Sequence, residues 1–264
     1  MRRLSNSRDN LPDDQALQCF DSLAQEGDLL TPSLDAIGSL RPFGRDVPEQ
    51  RLGTMLTPGT FGGSELERAA ALAASGRRLD AIALLRQVIE EQPKAVDARV
   101  SLAELHGSAG DWDEAIDQLS QALESGAAKA PILVLRGAFH AQANQSKDAE
   151  RDFRAAIDRD PSYWLAYRYL GVTRLRKGAS REAIAVLREA HSLAPQDAES
   201  ALFLGEALLA QGELDEGQQV LSMAVELGPR DPRGYLLLGR LLDRLGRTDE
   251  AMVMHRNARE VTTA

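Results

Sequence analysis

The sequence predicts an all-α fold, a stack of paired antiparallel helices, and two observations carry that prediction. One 34-residue pattern recurs six times in unbroken register from Gly62 to the C-terminus, over 62–95, 96–129, 130–163, 164–197, 198–231 and 232–264. Within each period, apolar residues recur at helical intervals in two runs separated by a turn signal. Between Pro161 and Gly178 the run is Leu165, Tyr169, Val172 and Leu175. Between Gly178 and Pro195 it is Ala183, Ile184, Leu187 and Ala190. Each period is therefore two helices, twelve in all.

The copies can be followed in chain order. The first keeps Ala69, Gly76, Ala81, Leu85 and Pro93, and the second Leu102-Ala103, Gly110, Ala115, Leu119 and Ala122. The third reads Leu133, Arg136-Gly137, Asn144, Ala149, Phe153, Ala156 and Pro161. In the fourth the same places hold Tyr167, Leu170-Gly171, Gly178, Ala183, Leu187, Ala190 and Pro195. The fifth has Ala201, Leu204-Gly205, Gly212, Gly217, Leu221, Ala224 and Pro229, and the sixth Tyr235, Leu238-Gly239, Gly246, Ala251, His255 and Ala258.

Each recurring residue has a physical task. Gly178, Gly212 and Gly246 stand where the chain reverses between helices and needs positive φ, with Asn144 as the usual substitute. Pro93, Pro161, Pro195 and Pro229 close the second helix of one copy and open the next. Small residues at Gly171/Ala183, Gly205/Gly217 and Gly239/Ala251 are expected to let paired helices approach closely. Gly217 costs about 1 kcal/mol relative to Ala inside a helix, which makes the fifth copy the softest. The second junction departs from the pattern, with Ala127 where other copies have Pro and Pro131 in the next first turn, and predicts a tighter or tilted corner.

Residues 1–61 follow different rules. Segments 1–15 and 41–63 are polar or rich in Pro and Gly and read as disordered tail and linker. Two amphipathic pieces interrupt them: Asp13–Gln25, with Leu17, Phe20, Leu23 and Ala24 on one side, and Thr31–Leu40, where Thr31-Pro32 opens a helix carrying Leu34, Ile37 and Leu40. The tail thus stays disordered, docks on the chain's own repeats, or binds a partner.

Composition excludes several classes. A chain of 264 residues with 43% hydrophobic, 5% aromatic and 27% charged content suits a stacked helical core with a solvated surface. A formal net charge of -9 argues against nucleic acid or an anionic membrane as main partner, since both demand a basic stripe. No run of about 18 apolar residues occurs, so membrane insertion is not expected. The single cysteine, Cys19, and the lack of a signal-peptide-like apolar stretch after Met1-Arg2-Arg3 make the cytoplasm the expected compartment.

Catalysis has few candidates. His106, His140, His191 and His255 are the only histidines, and none has a Ser, Cys or carboxylate at triad or metal-ligand spacing. His106 and His140 lie one period apart, where a core aromatic is expected, as it is for Trp112 and Trp164. Gly59-Thr60-Phe61-Gly62-Gly63-Ser64 lacks the Gly-Lys-Ser/Thr ending of a phosphate loop and reads as a hinge. No catalytic residue, metal or cofactor is predicted.

The repeating residues resemble the tetratricopeptide repeat (TPR) pattern, W-x2-L-G-x2-Y, A-x3-F and P at period 34, over about three quarters of the chain. The resemblance implies a right-handed α-solenoid whose first helices line a concave groove, with their second, fifth, ninth, twelfth and thirteenth residues facing a ligand. On this chain these are Leu165, Arg168, Val172, Leu175 and Arg176; Glu199, Leu202, Glu206, Leu209 and Ala210; and Arg233, Leu236, Arg240, Asp243 and Arg244. Copies one to three offer a milder face, including Asp97, Val100 and Glu104. Exposed leucines beside arginines would grip an acidic or carboxylate-ended peptide. Arg168, Tyr169 and Val172 form the expected centre, with Arg176, Glu206, Arg233, Arg240 and Arg244 around them.

Two readings compete with that one. Glu206 sits between the arginines of copies four and six, so the charges are also able to pair with one another. The chain would alternatively be an accessory subunit of a stable complex, using its convex face and C-terminal end, with its own tail in the groove. Met252, Met254 and the leucines of 236–245 leave apolar area in the last copy, which suggests self-association there. The Lys and Asn of a chaperone-tail carboxylate clamp are replaced by Leu66, Ala70 and Ser101, so that activity is not expected.

Overall fold

The computed structural model describes residues 63–126 and 129–263, which form twelve α-helices and no strand. The helices follow the period: α1 (Gly63–Ala74) and α2 (Arg78–Glu91), α3 (Val96–Gly107) and α4 (Trp112–Glu124), α5 (Ala130–Gln142) and α6 (Ser146–Arg159). Then come α7 (Trp164–Arg176) and α8 (Ser180–Leu193), α9 (Ala198–Gln211) and α10 (Leu214–Leu227), α11 (Pro232–Arg244) and α12 (Thr248–Thr263). The expectations for the tail, for Cys19 and for Ala127 lie outside the described residues. Of the expected hinge at Gly59–Ser64, only Gly63 and Ser64 are described, and they open α1.

The turn inside each pair is built as the spacing predicts. Gly178, Gly212 and Gly246 have φ of 75°, 83° and 74°, and Asn144 adopts 60°. Only glycine, or Asn at some cost, takes this left-handed conformation readily. At Gly212 it returns two amides to α9, whose Leu208 and Leu209 carbonyls accept. Pro161, Pro195 and Pro229 each follow a second helix by two residues, and Tyr167 and Tyr235 donate their hydroxyls to the carbonyls of Pro161 and Pro229, at 3.1 and 3.4 Å.

The paired helices approach closely at the expected small residues: a methyl group on Gly217 of α10 would lie 3.5 Å from Leu208 Cβ of α9. The small residue of the first helix faces the residue 16 positions later. A methyl group placed on Gly171 would lie 2.5 Å from Leu187, on Gly205 2.4 Å from Leu221, on Gly137 2.6 Å from Phe153 and on Gly239 2.7 Å from His255. One large side chain thus fills the hollow left by each glycine, and Phe153, Leu187 and Leu221 are fully buried there. Each such burial contributes about 1.5–3 kcal/mol. Gly217 also has a packing role, because Leu241 of α11 lies 3.0 Å from where its methyl group would be.

Curvature follows from which helices touch. First helices of neighbouring copies pack side by side at α1/α3, α5/α7, α7/α9 and α9/α11, whereas the second helices do not approach one another comparably. The first helices therefore line the inside of the curve. Between α3 and α5 that contact thins, and the apolar core divides there: one cluster centres on α1–α3, a second joins α3, α4 and α5, and a third runs from α5 to α12. Phe139 bridges the irregular junction, packing its ring on Trp112 at 6.0 Å and over Gly107.

Candidate functional site

The inner face of α7, α9 and α11 holds the predicted positions, but not in the predicted state. Val172, Leu175, Leu202 and Leu209, expected to be exposed, are buried. The reason is the side-by-side contact of first helices, which covers these positions with the next copy. Leu236 of α11 is 38% exposed, whereas its equivalent Leu202 is 3% exposed beneath α11.

The expected centre is likewise built into the stack. Tyr169 is 5% exposed and stacks on Phe153 with ring centroids 5.6 Å apart. Arg168, 8% exposed, lies over the rings of Trp164 and Tyr169 at 5.0 and 5.6 Å. Its Nη1 is 3.1 Å from Asp197 and 2.7 Å from Glu199. Burial opposes the guanidinium's charge, but Asp197 and Glu199 outweigh it and hold its pKa above the ordinary value.

Glu199 continues the chain of charges to Arg233 at 3.5 Å, and Arg233 meets Asp231 at 2.7 Å. A ladder from α7 through α9 to α11 results. Glu199 thus has the pairing role expected of Glu206. Asp197 and Asp231, which the sequence reading passed over, are the N-caps of α9 and α11: Asp197 accepts from the Ser200 amide and Asp231 from the Arg233 amide. The signal was present, since Asp before a helix start is a capping residue.

Past the ladder the inner face changes character. Arg176 at the end of α7 has its Nε and Nη2 buried without a hydrogen-bond partner. Burial pushes its pKa down to about 10, against the opposing charge of Glu206. Glu206 is raised by burial, and Arg233, Arg240 and Arg176 work against that rise. Among the described residues no cation comes within ion-pair distance of Glu206, so the three arginines surround it without closing on it. Arg240 is exposed. Arg244 donates from Nη1 to the Leu209 carbonyl at 2.7 Å and so serves the C-terminal end of α9.

The N-terminal part of the inner face carries carboxyl groups in place of arginines. Glu104 of α3 is raised to about 7 by burial. Asp97 is raised by burial, with Lys129 opposing. Of the histidines, His106 is buried, while His140 is half-buried with Nδ1 2.6 Å from Gln145. Trp112 and Trp164 are half-buried, against the expectation of a full core position. Among the described residues no group of His, Cys, Asp and Glu is placed to hold a metal ion, and no helix is long and apolar enough to cross a membrane.

Comparison with known proteins agrees with this architecture. Three family models, each described as a tetratricopeptide repeat, match the chain: one over 72–134 and 174–241, one over 140–198 and one over 232–254. No curated protein matches it in sequence. Among solved structures, pilF of Pseudomonas aeruginosa superposes with a TM-score of 0.65 at 21% identity, covering 72% of this chain and 87% of that one. MamA from Desulfovibrio magneticus RS-1 gives 0.58 at 20% identity, covering 64% and 95%. YrrB, described as a TPR protein with an unusual peptide-binding site, gives 0.55 at 20% identity, covering 67% and 91%. At these identities the likeness concerns the fold.

Proposed function

Because the chain belongs to the tetratricopeptide repeat family, we propose that it is a non-enzymatic cytoplasmic adaptor that holds a segment of another protein against the inner face of α7, α9 and α11. The observation that supports this reading is Arg176, a charged group kept from water on an inner face with two N–H groups unsatisfied. Such a group costs stability, and a bound carboxylate supplies the missing partner. Arg240 stands across Glu206 with its charge exposed, and Leu236 lies one turn earlier on the same helix face. Acidic or carboxylate-ended peptides fit this arrangement. Nucleic acid does not, because two such arginines fall short of the continuous basic stripe that a phosphate backbone demands.

Fluorescently labelled peptides carrying two or more Asp/Glu and a free C-terminus test it against amidated, uncharged versions. The acidic peptides are expected to bind the full chain and to lose 10- to 100-fold in affinity with R176M/R240M, the range for one or two charge-assisted hydrogen bonds. Equal binding of charged and uncharged peptides would remove the reading. Arg168→Glu is unsuited to this purpose, because it would set a third carboxylate beside Asp197 and Glu199.

A second reading rests on the last copy. Met252 is 55% exposed where the equivalent Ile184 is 3% exposed, and Leu236 is similarly open. This surface fits self-association or the flank of a larger assembly. Sedimentation equilibrium of the full chain and of L236E/M252E separates the cases: a dimer lost in the variant supports it, and a monomer at high concentration ends it.

A further inference from the structure

We infer that the acidic N-terminal segment of this same chain, residues 9–40, occupies the inner face of α7–α11 and must be displaced by a partner. The inference rests on the adaptor reading, and it names how that site is regulated. Residues 9–40 contain Asp9, Asp13, Asp14, Asp21, Glu26, Asp28 and Asp35 and not one Lys or Arg. The rest of the segment is rich in apolar residues, among them Leu17, Phe20 and Leu23. The inner face offers the complementary set: the unsatisfied Arg176, the exposed Arg240 and the partly exposed Leu236. Its far end offers carboxyl groups, Asp97 and Glu104, in place of arginines, so only one end of the face is complementary to the segment.

Chain length allows the contact. With neighbouring first helices about 8–10 Å apart, α9 lies about 40 Å along the stack from α1. From Asp35 to Gly63 there are 28 residues. A chain of that length averages roughly 30 Å end to end and reaches roughly 90 Å when extended. A tethered segment competes at a high effective concentration, so modest charge complementarity is sufficient for occupancy.

Cys19 is the only cysteine and lies within the segment, so a nitroxide attached to it reports the segment's position in the full-length protein. The expected result is loss of more than half the side-chain signal of Arg176 and Arg240, and of the Glu206 amide, with α2 and α4 unaffected. This broadening is expected to persist on tenfold dilution with unlabelled protein and to vanish in D13K/D14K/D21K. That variant is also expected to bind the acidic probe peptide at least tenfold more tightly than the native chain. Absence of broadening at Arg176 and Arg240, or equal peptide affinity in the two proteins, overturns the inference. Loss of broadening on dilution overturns it too, by making a second copy the occupant. Tight peptide binding without broadening leaves the adaptor reading standing while this one falls.

Discussion

Arg168 of α7 and Glu199 of α9 meet at 2.7 Å across the boundary between the fourth and fifth repeats, and the arginine is almost fully buried. Removing one partner of a buried pair costs more than the pair contributes, because the other charge remains in a dry site. Arg168→Ala is therefore expected to lower stability by about 3–5 kcal/mol, whereas Glu199→Gln, which leaves Asp197 in place, costs only about 1 kcal/mol. Urea midpoints measured at unchanged m-value check both.

The glycine hollows yield a second prediction. Gly205→Ala places a methyl group 2.4 Å from Leu221 Cδ2 and 2.5 Å from its Cγ. Leu221 is fully buried, so the overlap is expected to cost about 1–3 kcal/mol. Leu221→Ala is expected to cost about 2–5 kcal/mol by itself. The double variant is expected to lose less than the sum, by at least about 0.5 kcal/mol, since each change relieves the other. Additive losses would show that the two helices do not meet there.

Glu104 makes stability depend on pH in an unusual direction for a carboxyl group. Its pKa is about 7 in the folded protein, raised from 4.5 by burial. Between these values the folded state binds the proton more tightly, so stability is greatest below the unfolded pKa and falls as pH rises through about 7. The loss amounts to at most about 3 kcal/mol. Glu104→Gln is expected to flatten the dependence between pH 5 and 8 and to stabilise the protein at pH 8. Urea midpoints at both pH values read this out.

In the D13K/D14K/D21K background, where the N-terminal segment no longer supplies carboxylates to the site, Arg176→Met is expected to stabilise the chain by about 1–3 kcal/mol, because it removes two unsatisfied N–H groups from a partly dry site. The same change weakens capture of the acidic peptide. A rise in melting temperature together with lower affinity identifies Arg176 as a residue kept for binding at the expense of stability. A fall in melting temperature would mean that its charge is already satisfied.

The period was legible because it is local. Helix length, the positive-φ turn at Gly178 and the prolines after α6, α8 and α10 all follow from residues within one 34-residue copy, and each appears in the structure where the spacing puts it. The recurring glycines were legible as points of close approach, but not the side chain that each meets. Gly171 faces Leu187, since helix spacing identifies the shared face but not which side chain crosses it.

The inner face was legible only in outline. Helical spacing puts Arg168, Val172 and Arg176 on one side of a helix, and the resemblance to the repeat pattern extends that side to Glu206 and Arg240. Only the tertiary structure decided which of them remain available to a ligand. The side-by-side contact of first helices buries Val172, Leu175, Leu202 and Leu209 and closes Arg168 onto Asp197 and Glu199, while Arg176 is left without a partner. Whether a charge is satisfied depends on distances between residues some 30 positions apart, and periodicity within one copy carries no information about them.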